Sequence, residues 1–505
     1  MDEALGLLRD NRDTIRGIAA NGKRAAELVD YCARLLDRDR GEMTFVKELH
    51  NRFDSKRRSK LRVVEVARLD LAEAVLDFYQ EGVEKAIELL KLAEVNCRRN
   101  GFLELVPVCL YYEARCTYRL GRYAEALKLI QEAKQGLTHP RALGQCEMVE
   151  AWVQFVRGYL PEAATALKRA CEHLGIKPGE EEHSPDYVEA VNVLSFLGRI
   201  EREKGNYQAA IEYFRRALVL FDTHHDLGHL ARGRVLVQLA IAELQHARDL
   251  GEKPTGNPAQ VRRDMENYRT RASEHLDQAW GIYKRAGHRR WMANVLNFRA
   301  WLWLDREDYS QARKEAQEAL EYTEGANQAF AATRAHALIT LCRIEIEDPR
   351  GDLLEAFSLS RQALDQARAS DRRRLNLRAN VARARVLLRK PLYEIDQARD
   401  HLSEAKHMLR PYDGDYVKVE LEQCVEEVDN AVSLDKVIAE VTLAGLLEDK
   451  LQATLDKVER ELIYYVYLRK NKKKNQTAHA LGTDRGRVSR SVGPQTGAER
   501  TTDPD

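Results

Sequence analysis

Ten lysines and arginines fall between residues 457 and 492 (457, 460, 469, 470, 472, 473, 474, 485, 487 and 490), against three acids, Glu459, Glu461 and Asp484. This local balance of +7 sits in a 505-residue chain whose formal net charge is +1. Positive charge gathered on so short a stretch suits phosphate contact, because each neutralised phosphate releases its counterions. Arg485, Arg487 and Arg490 follow at helical spacing, and a guanidinium fork can pair with guanine edges in the major groove. A second capable set lies earlier: Tyr111, Arg115, Arg119, Arg199 and Arg202, alternating with apolar positions in a helical register. Such a strip either holds an acidic or extended peptide segment, or is a solvated surface paired with neighbouring glutamates.

Other chemistries find little footing. No G-x-x-x-x-G-K-[ST] loop and no G-x-G-x-x-G turn occurs, so nucleotide hydrolysis has no support. No nucleophile, base and oxyanion arrangement can be assembled, and the expectation is a protein that is not an enzyme and uses no cofactor. His224 and His225 are adjacent and point apart on a helix; with His229, Asp222, Asp226 and Gly228 they read as a polar loop, and no metal site is expected. The eight cysteines are scattered without a C-x-x-C pair and read as small buried residues. The opening MDEALGLLRD contains no long apolar run, so the expectation is a cytoplasmic chain without a membrane span. The basic run Lys56-Arg57-Arg58-Ser59-Lys60 reads as a solvated joint between two packed helices.

The elements that must position these side chains are helical hairpins. In residues 194–220 the apolar positions Leu197, Ile200, Ile211, Phe214, Ala217 and Leu218 recur at helical spacing on either side of Gly205-Asn206. Gly198 and Ala210 are small where the two helices would cross, and Tyr207 and Phe214 are large beside them. This pattern resembles the tetratricopeptide repeat, carried by Leu197-Gly198, Gly205-Asn206-Tyr207, Ala210, Phe214 and Ala217. A single hairpin cannot bury its own apolar face, so neighbours are required. Equivalent alanines occur at 86, 126, 163, 210, 279, 312, 356 and 398, giving about eight units over residues 66–410. The fold class expected is all-α: a tetratricopeptide-like solenoid after a helical segment at 1–65, an elongated array whose repeats touch mainly their neighbours. Two breaks interrupt it: a charged connector at Lys177–Pro185, and a loop at Gly251–Pro258 inside the fifth unit. Trp291, Phe298, Trp301 and Trp303 concentrate in the sixth unit. Trp301 and Trp303 cannot both point inward on one helix, so one of them can line a groove.

Beyond Asp413-Gly414-Asp415 the repeat alanines stop. Residues 411–456 read as helices that either cap the solenoid or couple two copies into a homodimer. The stretch 457–492 then resembles a Fis-type helix-turn-helix of bacterial transcriptional regulators. The residues that carry the resemblance are Glu459-Arg460-Glu461-Leu462-Ile463, Ala478, Leu481-Gly482, Arg485, Val488 and Arg490. The resemblance implies duplex DNA as a partner. Lys472, Lys473, Lys474, Gln476 and Thr477 would stand at the entry to the second helix; Arg485, Arg487, Ser489 and Arg490 would lie on the recognition helix. Thr483 departs from the usual aliphatic residue. Residues 493–505 hold no large apolar side chain and read as a disordered tail. Two functions follow from these readings. One is a DNA-binding regulator whose solenoid recruits or senses a protein or peptide on its concave face. The other is a solenoid adaptor for protein–protein interaction that does not bind DNA.

Overall fold

A computed structural model describes residues 29, 30, 33, 43–429 and 451–492, less 81, 178, 185, 253, 255, 256, 327, 390, 391, 393, 415, 471 and 472. The described residues are helices and their connections, with no strand among them. After helices Met43–Asn51 and Ser55–Arg58 come eight antiparallel hairpins. Unit 1 is Val63–Tyr79 with Val83–Arg99, unit 2 Val106–Arg119 with Tyr123–Gly136, and unit 3 Pro140–Arg157 with Leu160–Leu174. Unit 4 is Tyr187–Glu203 with Tyr207–Thr223, and unit 5 Leu230–Glu252 with Pro258–Arg285. Units 6 to 8 are Arg289–Asp305 with Tyr309–Glu321, Ala331–Glu347 with Leu353–Ser370, and Arg373–Leu387 with Ile395–Met408. The fold is a tetratricopeptide-like α-solenoid.

All eight repeat alanines, from Ala86 to Ala398, are fully buried. A small residue there lets the second helix of a hairpin approach the first. Unit 4 displays the logic. Asp186 caps its first helix, its carboxylate accepting from the amides of Val188 and Glu189 at 3.2 and 3.4 Å. Gly205, at φ +83°, closes that helix in the left-handed conformation. A β-carbon on Gly198 would lie 2.7 Å from the Phe214 ring, which is itself fully buried. Gly198→Val is therefore expected to overpack the crossing and cost ~1–3 kcal/mol; a denaturation midpoint equal to that of the wild type would count against this packing.

The basic run joins two helices as expected. Arg58 ties it down, donating to Asp70 at 3.0 Å and to Glu73 at 3.1 Å. The connector at 177–185 contains a turn of 3₁₀ helix, Glu181–His183, whose buried Glu181 accepts from Arg216. The break in the fifth unit falls between its two long helices.

Repeats touch mainly their neighbours, as expected, and the superhelix also curls until early units meet late ones. The Tyr123 hydroxyl of unit 2 donates to the carbonyl of Ser370, at the end of unit 7, at 3.3 Å. Gly121, at φ +79°, abuts the same carbonyl, where a β-carbon would sit 2.7 Å from the oxygen. Ala329 and Phe330 pack into the core of units 1 and 2 alongside Phe78 and Leu120. The Gly414 amide donates to the carbonyl of Glu203 in unit 4 at 3.1 Å. Arg374 of unit 8 pairs with Glu203 at 3.4 Å and with Asp413 at 2.8 Å.

The helix Tyr416–Asp429 covers the last unit, burying Tyr416, Val417, Leu421, Cys424 and Val428 against units 6 and 8. Its apolar face is buried there. Residues 430–450 lie outside the described residues, as do nearly all of residues 1–42 and the tail from 493 onward. No helix among the described residues is long and apolar enough to cross a membrane.

Candidate functional site

The first helix of every hairpin faces inward, and together they line one channel of about 410 Å³. Tyr111, Arg115, Arg119, Arg199 and Arg202 all line it. They are joined by arginines that sequence reasoning missed: Arg234, Arg290, Arg372, Arg374 and Arg378. Nine arginines thus border the channel against two acids, Glu189 and Glu203. Nine aromatic side chains and five side-chain amides complete the wall. Trp301 lines the channel, its indole N–H donating to Thr340 Oγ1 at 2.9 Å. Trp303 packs into the core of units 6 to 8.

The arginines are held mainly by rings and amides. Arg115 lies over Phe78 at 4.6 Å and donates to the Tyr79 hydroxyl at 3.1 Å. Arg119 lies 3.4 Å over the Phe78 ring and donates to that residue's carbonyl. Arg202 donates to Gln238 at 2.8 Å. Arg199 faces Trp152 at 5.1 Å and Phe155 at 4.9 Å, with no ion pair to any described residue. Arg234 shares Trp152 at 5.6 Å and donates to Asn192 Oδ1 at 2.5 Å. The Nε atoms of both Arg199 and Arg234 are buried without a hydrogen-bond partner. Burial lowers the pKa of both guanidiniums, and the mutual repulsion of Arg199 and Arg115 with Arg234 lowers the latter further.

Another stretch of wall comes from units 7 and 8. Arg378 Nη1 donates to His336 Nδ1 at 3.0 Å and lies 4.6 Å from the Trp301 ring. Burial first, then the charges of Arg378, Arg372 and Arg202, hold His336 well below the ordinary imidazole range. An arginine can only donate, so Nδ1 accepts and the ring proton of His336 sits on Nε2. Glu189, deep in the channel, is pushed up by burial and by Asp186, and accepts from Gln145 at 2.8 Å and Asn192 at 3.0 Å. A cavity of this kind can bind and orient an anion.

Three C-terminal helices, Leu451–Arg469, Lys474–Ala480 and Arg485–Val492, share a small core of Ile463, Tyr467, Ala478 and Val488. Gly482, at φ +60°, makes the turn between the last two, and Asp484 caps the third by accepting from the Arg487 amide at 2.8 Å. Lys473, Lys474, Gln476, Arg485 and Ser489 are at least partly exposed, as is Arg490, whereas Lys472 lies outside the described residues. Two expected contacts are corrected. Thr477 is fully buried and its hydroxyl donates to the Lys473 carbonyl at 2.8 Å, so it holds the helix together rather than facing outward. Arg487 is engaged by Glu459 of the first helix at 2.5 and 2.7 Å.

The histidines of the fourth unit's loop do local structural work. His224 stacks on Tyr187 at 4.0 Å, and His229 Nδ1 accepts from the Ala231 amide at 2.9 Å. The seven described cysteines are buried and free, and burial pushes thiols such as Cys116 and Cys342 up to about 12.

Residues 191–224 match the tetratricopeptide repeat family. No curated protein matches the chain. Among solved structures, the chain is similar to apo NprR, a quorum sensor from B. thuringiensis, at 15% identity over 72% of this chain and 97% of that one, with a TM-score of 0.47. It is similar to a Rap protein complexed with the competence and sporulation factor at 13% identity over 72% and 99%, with a TM-score of 0.46. It is also similar to IFIT1 with Gppp-AAAA at 12% identity over 84% and 94%, with a TM-score of 0.44.

Proposed function

We propose that this protein is a regulator whose solenoid holds an extended anionic peptide inside its channel and whose C-terminal helices bind duplex DNA. The observation that carries the reading is the charge imbalance of the channel, nine arginines against two acids in a chain of net charge +1. Desolvated like charges repel, and burying them costs stability unless an anion offsets them. An extended peptide fits the rest of the wall. Side-chain amides such as Asn192, Gln238 and Asn294 offer both a donor and an acceptor, the pair that a peptide unit needs. The aromatic rings between them accommodate apolar side chains.

The DNA-binding half rests on the +7 stretch and on Lys473, Lys474, Arg485 and Arg490 around one short turn. The adaptor reading keeps a specific observation in its favour, the burial of Thr477 and the tethering of Arg487. Anisotropy of the full chain on labelled duplexes across a salt series separates the two. Replacing Lys473, Lys474 and Arg485 with alanine is expected to weaken binding on every duplex and flatten the salt slope by roughly 0.9 per lost phosphate contact. Absence of duplex binding by the wild type at low salt would leave the adaptor.

A further inference from the structure

The arginines of the channel are not spread evenly in their needs. Arg374 and Arg373 are served by acids: Arg373 meets Asp413 at 2.6 Å, and Arg374 meets both Asp413 and Glu203. Four on the channel wall, Arg199, Arg234, Arg372 and Arg378, have no carboxylate within ion-pairing distance among the described residues; Arg234 is held by Asn192. Arg199 has only the rings of Trp152 and Phe155. Arg372 lies near the Tyr123 phenol at the closing seam, its backbone amide donating to Ser370 Oγ at 3.4 Å. Arg378 has His336 and the rings of Trp301 and Tyr416. Arg199 comes from unit 4 and Arg372 and Arg378 from the start of unit 8, units that meet at the seam through Arg374 and Glu203, and the Arg372 charge is felt by both Arg199 and His336.

We propose that Arg199, Arg372, Arg378 and the Nε2–H of His336 form a subsite for a phosphoryl group carried by the peptide in the channel. This rests on the reading of the channel as an anionic-peptide site. A carboxylate has two oxygens in one plane and a single charge, and satisfies one guanidinium fork well. A phosphoryl group carries close to two charges at neutral pH and three strong acceptor oxygens pointing in different directions. That matches three guanidiniums arriving from two units, with an imidazole whose Nδ1 is occupied and whose remaining nitrogen can only donate. Bound there, the group would bridge unit 4 to units 7 and 8 across the seam. The amide-rich remainder of the wall favours a phosphorylated peptide over a nucleotide, whose bases would call for stacking at regular intervals.

Calorimetry on the full chain tests this with an acidic pentapeptide that has a central serine and with the same peptide phosphorylated on that serine. Phosphorylation is expected to tighten binding by about tenfold or more, since charge-assisted bidentate contacts are the strong ones. In Arg372→Gln/Arg378→Gln the gain should vanish, and in Arg378→Lys part of it should remain. Should the double variant fail to fold by circular dichroism, Arg378→Lys carries the test, and an undiminished gain there would overturn the subsite. Equal binding of the two peptides would overturn the phosphoryl subsite and leave the channel reading standing. Binding of neither peptide would remove the channel reading itself. Displacement of the phosphopeptide by adenosine monophosphate at lower concentration would overturn the choice of a peptide.

Discussion

Asp413→Ala is expected to loosen the closure of the solenoid by about 3–5 kcal/mol, the cost of leaving a buried charge without its partner. Asp413 accepts from Arg373 at 2.6 and 3.0 Å, from Arg374 at 2.8 Å and from the Arg410 amide at 2.8 Å. The Arg373 and Asp413 side chains are 7% and 1% exposed, so water cannot replace either partner. The pair fixes the loop whose next residue, Gly414, lies against the backbone of Lys204, where a β-carbon would strike the carbonyl. Removing the carboxylate frees both arginines and the loop, and the contact between units 4 and 8 goes with them. Hydrogen exchange at the amides of 409–414 and 201–206 should accelerate on the order of a hundredfold or more, the equivalent of about 3 kcal/mol. Wild-type exchange at those amides would show that Asp413 does not hold the seam. The same contact predicts an acid sensitivity. Burial raises the Asp413 pKa, but hydrogen bonds and charge from Arg373 and Arg374, with the Arg410 amide, outweigh it and hold it below the ordinary 3.8. A depressed carboxylate contributes stability that is complete above its ordinary value and is lost as pH falls through the lowered one. The seam should therefore hold at neutral pH and weaken in acid below about pH 4.

Local features of the fold were legible in the sequence because they are written in spacing. The alanines at hairpin crossings, Gly198 opposite Phe214, and the turn at Gly205 are each a local steric demand that one residue type meets. The closure was not legible. Tyr123 and Ser370 are 247 residues apart, and their meeting depends on a small rotation accumulated over several units, which no single repeat encodes. The channel shows the same division. Tyr111, Arg115, Arg119, Arg199 and Arg202 follow from the register of first helices, and Arg234 could have been found by carrying that register into unit 5. His336 and Arg378 lie on first helices too, but only the curl of the array brings them and Arg372 toward Arg199. In the C-terminal module the capping Asp484 and inward Val488 are local and legible. The engagement of Arg487 by Glu459 is a contact between helices.

The second large effect concerns the ligand. Reversing Arg199 and Arg234 to glutamate changes the formal charge of the channel wall from +7 to +3, counting nine arginines and two glutamates. Both side chains lie against Trp152 with a buried Nε that lacks a partner, so both are placed to receive an anion in a desolvated setting. Each lost contact of that kind is worth about 2 kcal/mol or more, so the pair should weaken binding of an acidic peptide by roughly a thousandfold. The fold should survive, because the new carboxylates would face neighbouring arginines and relieve their repulsion. The most direct test of the whole account is a calorimetric titration of the full chain with an unphosphorylated acidic peptide, repeated on Arg199→Glu/Arg234→Glu. Binding by the wild type that disappears in a variant with an unchanged circular dichroism spectrum is the predicted result. Equal affinity for the two proteins would contradict it, placing the ligand outside the arginine-lined channel.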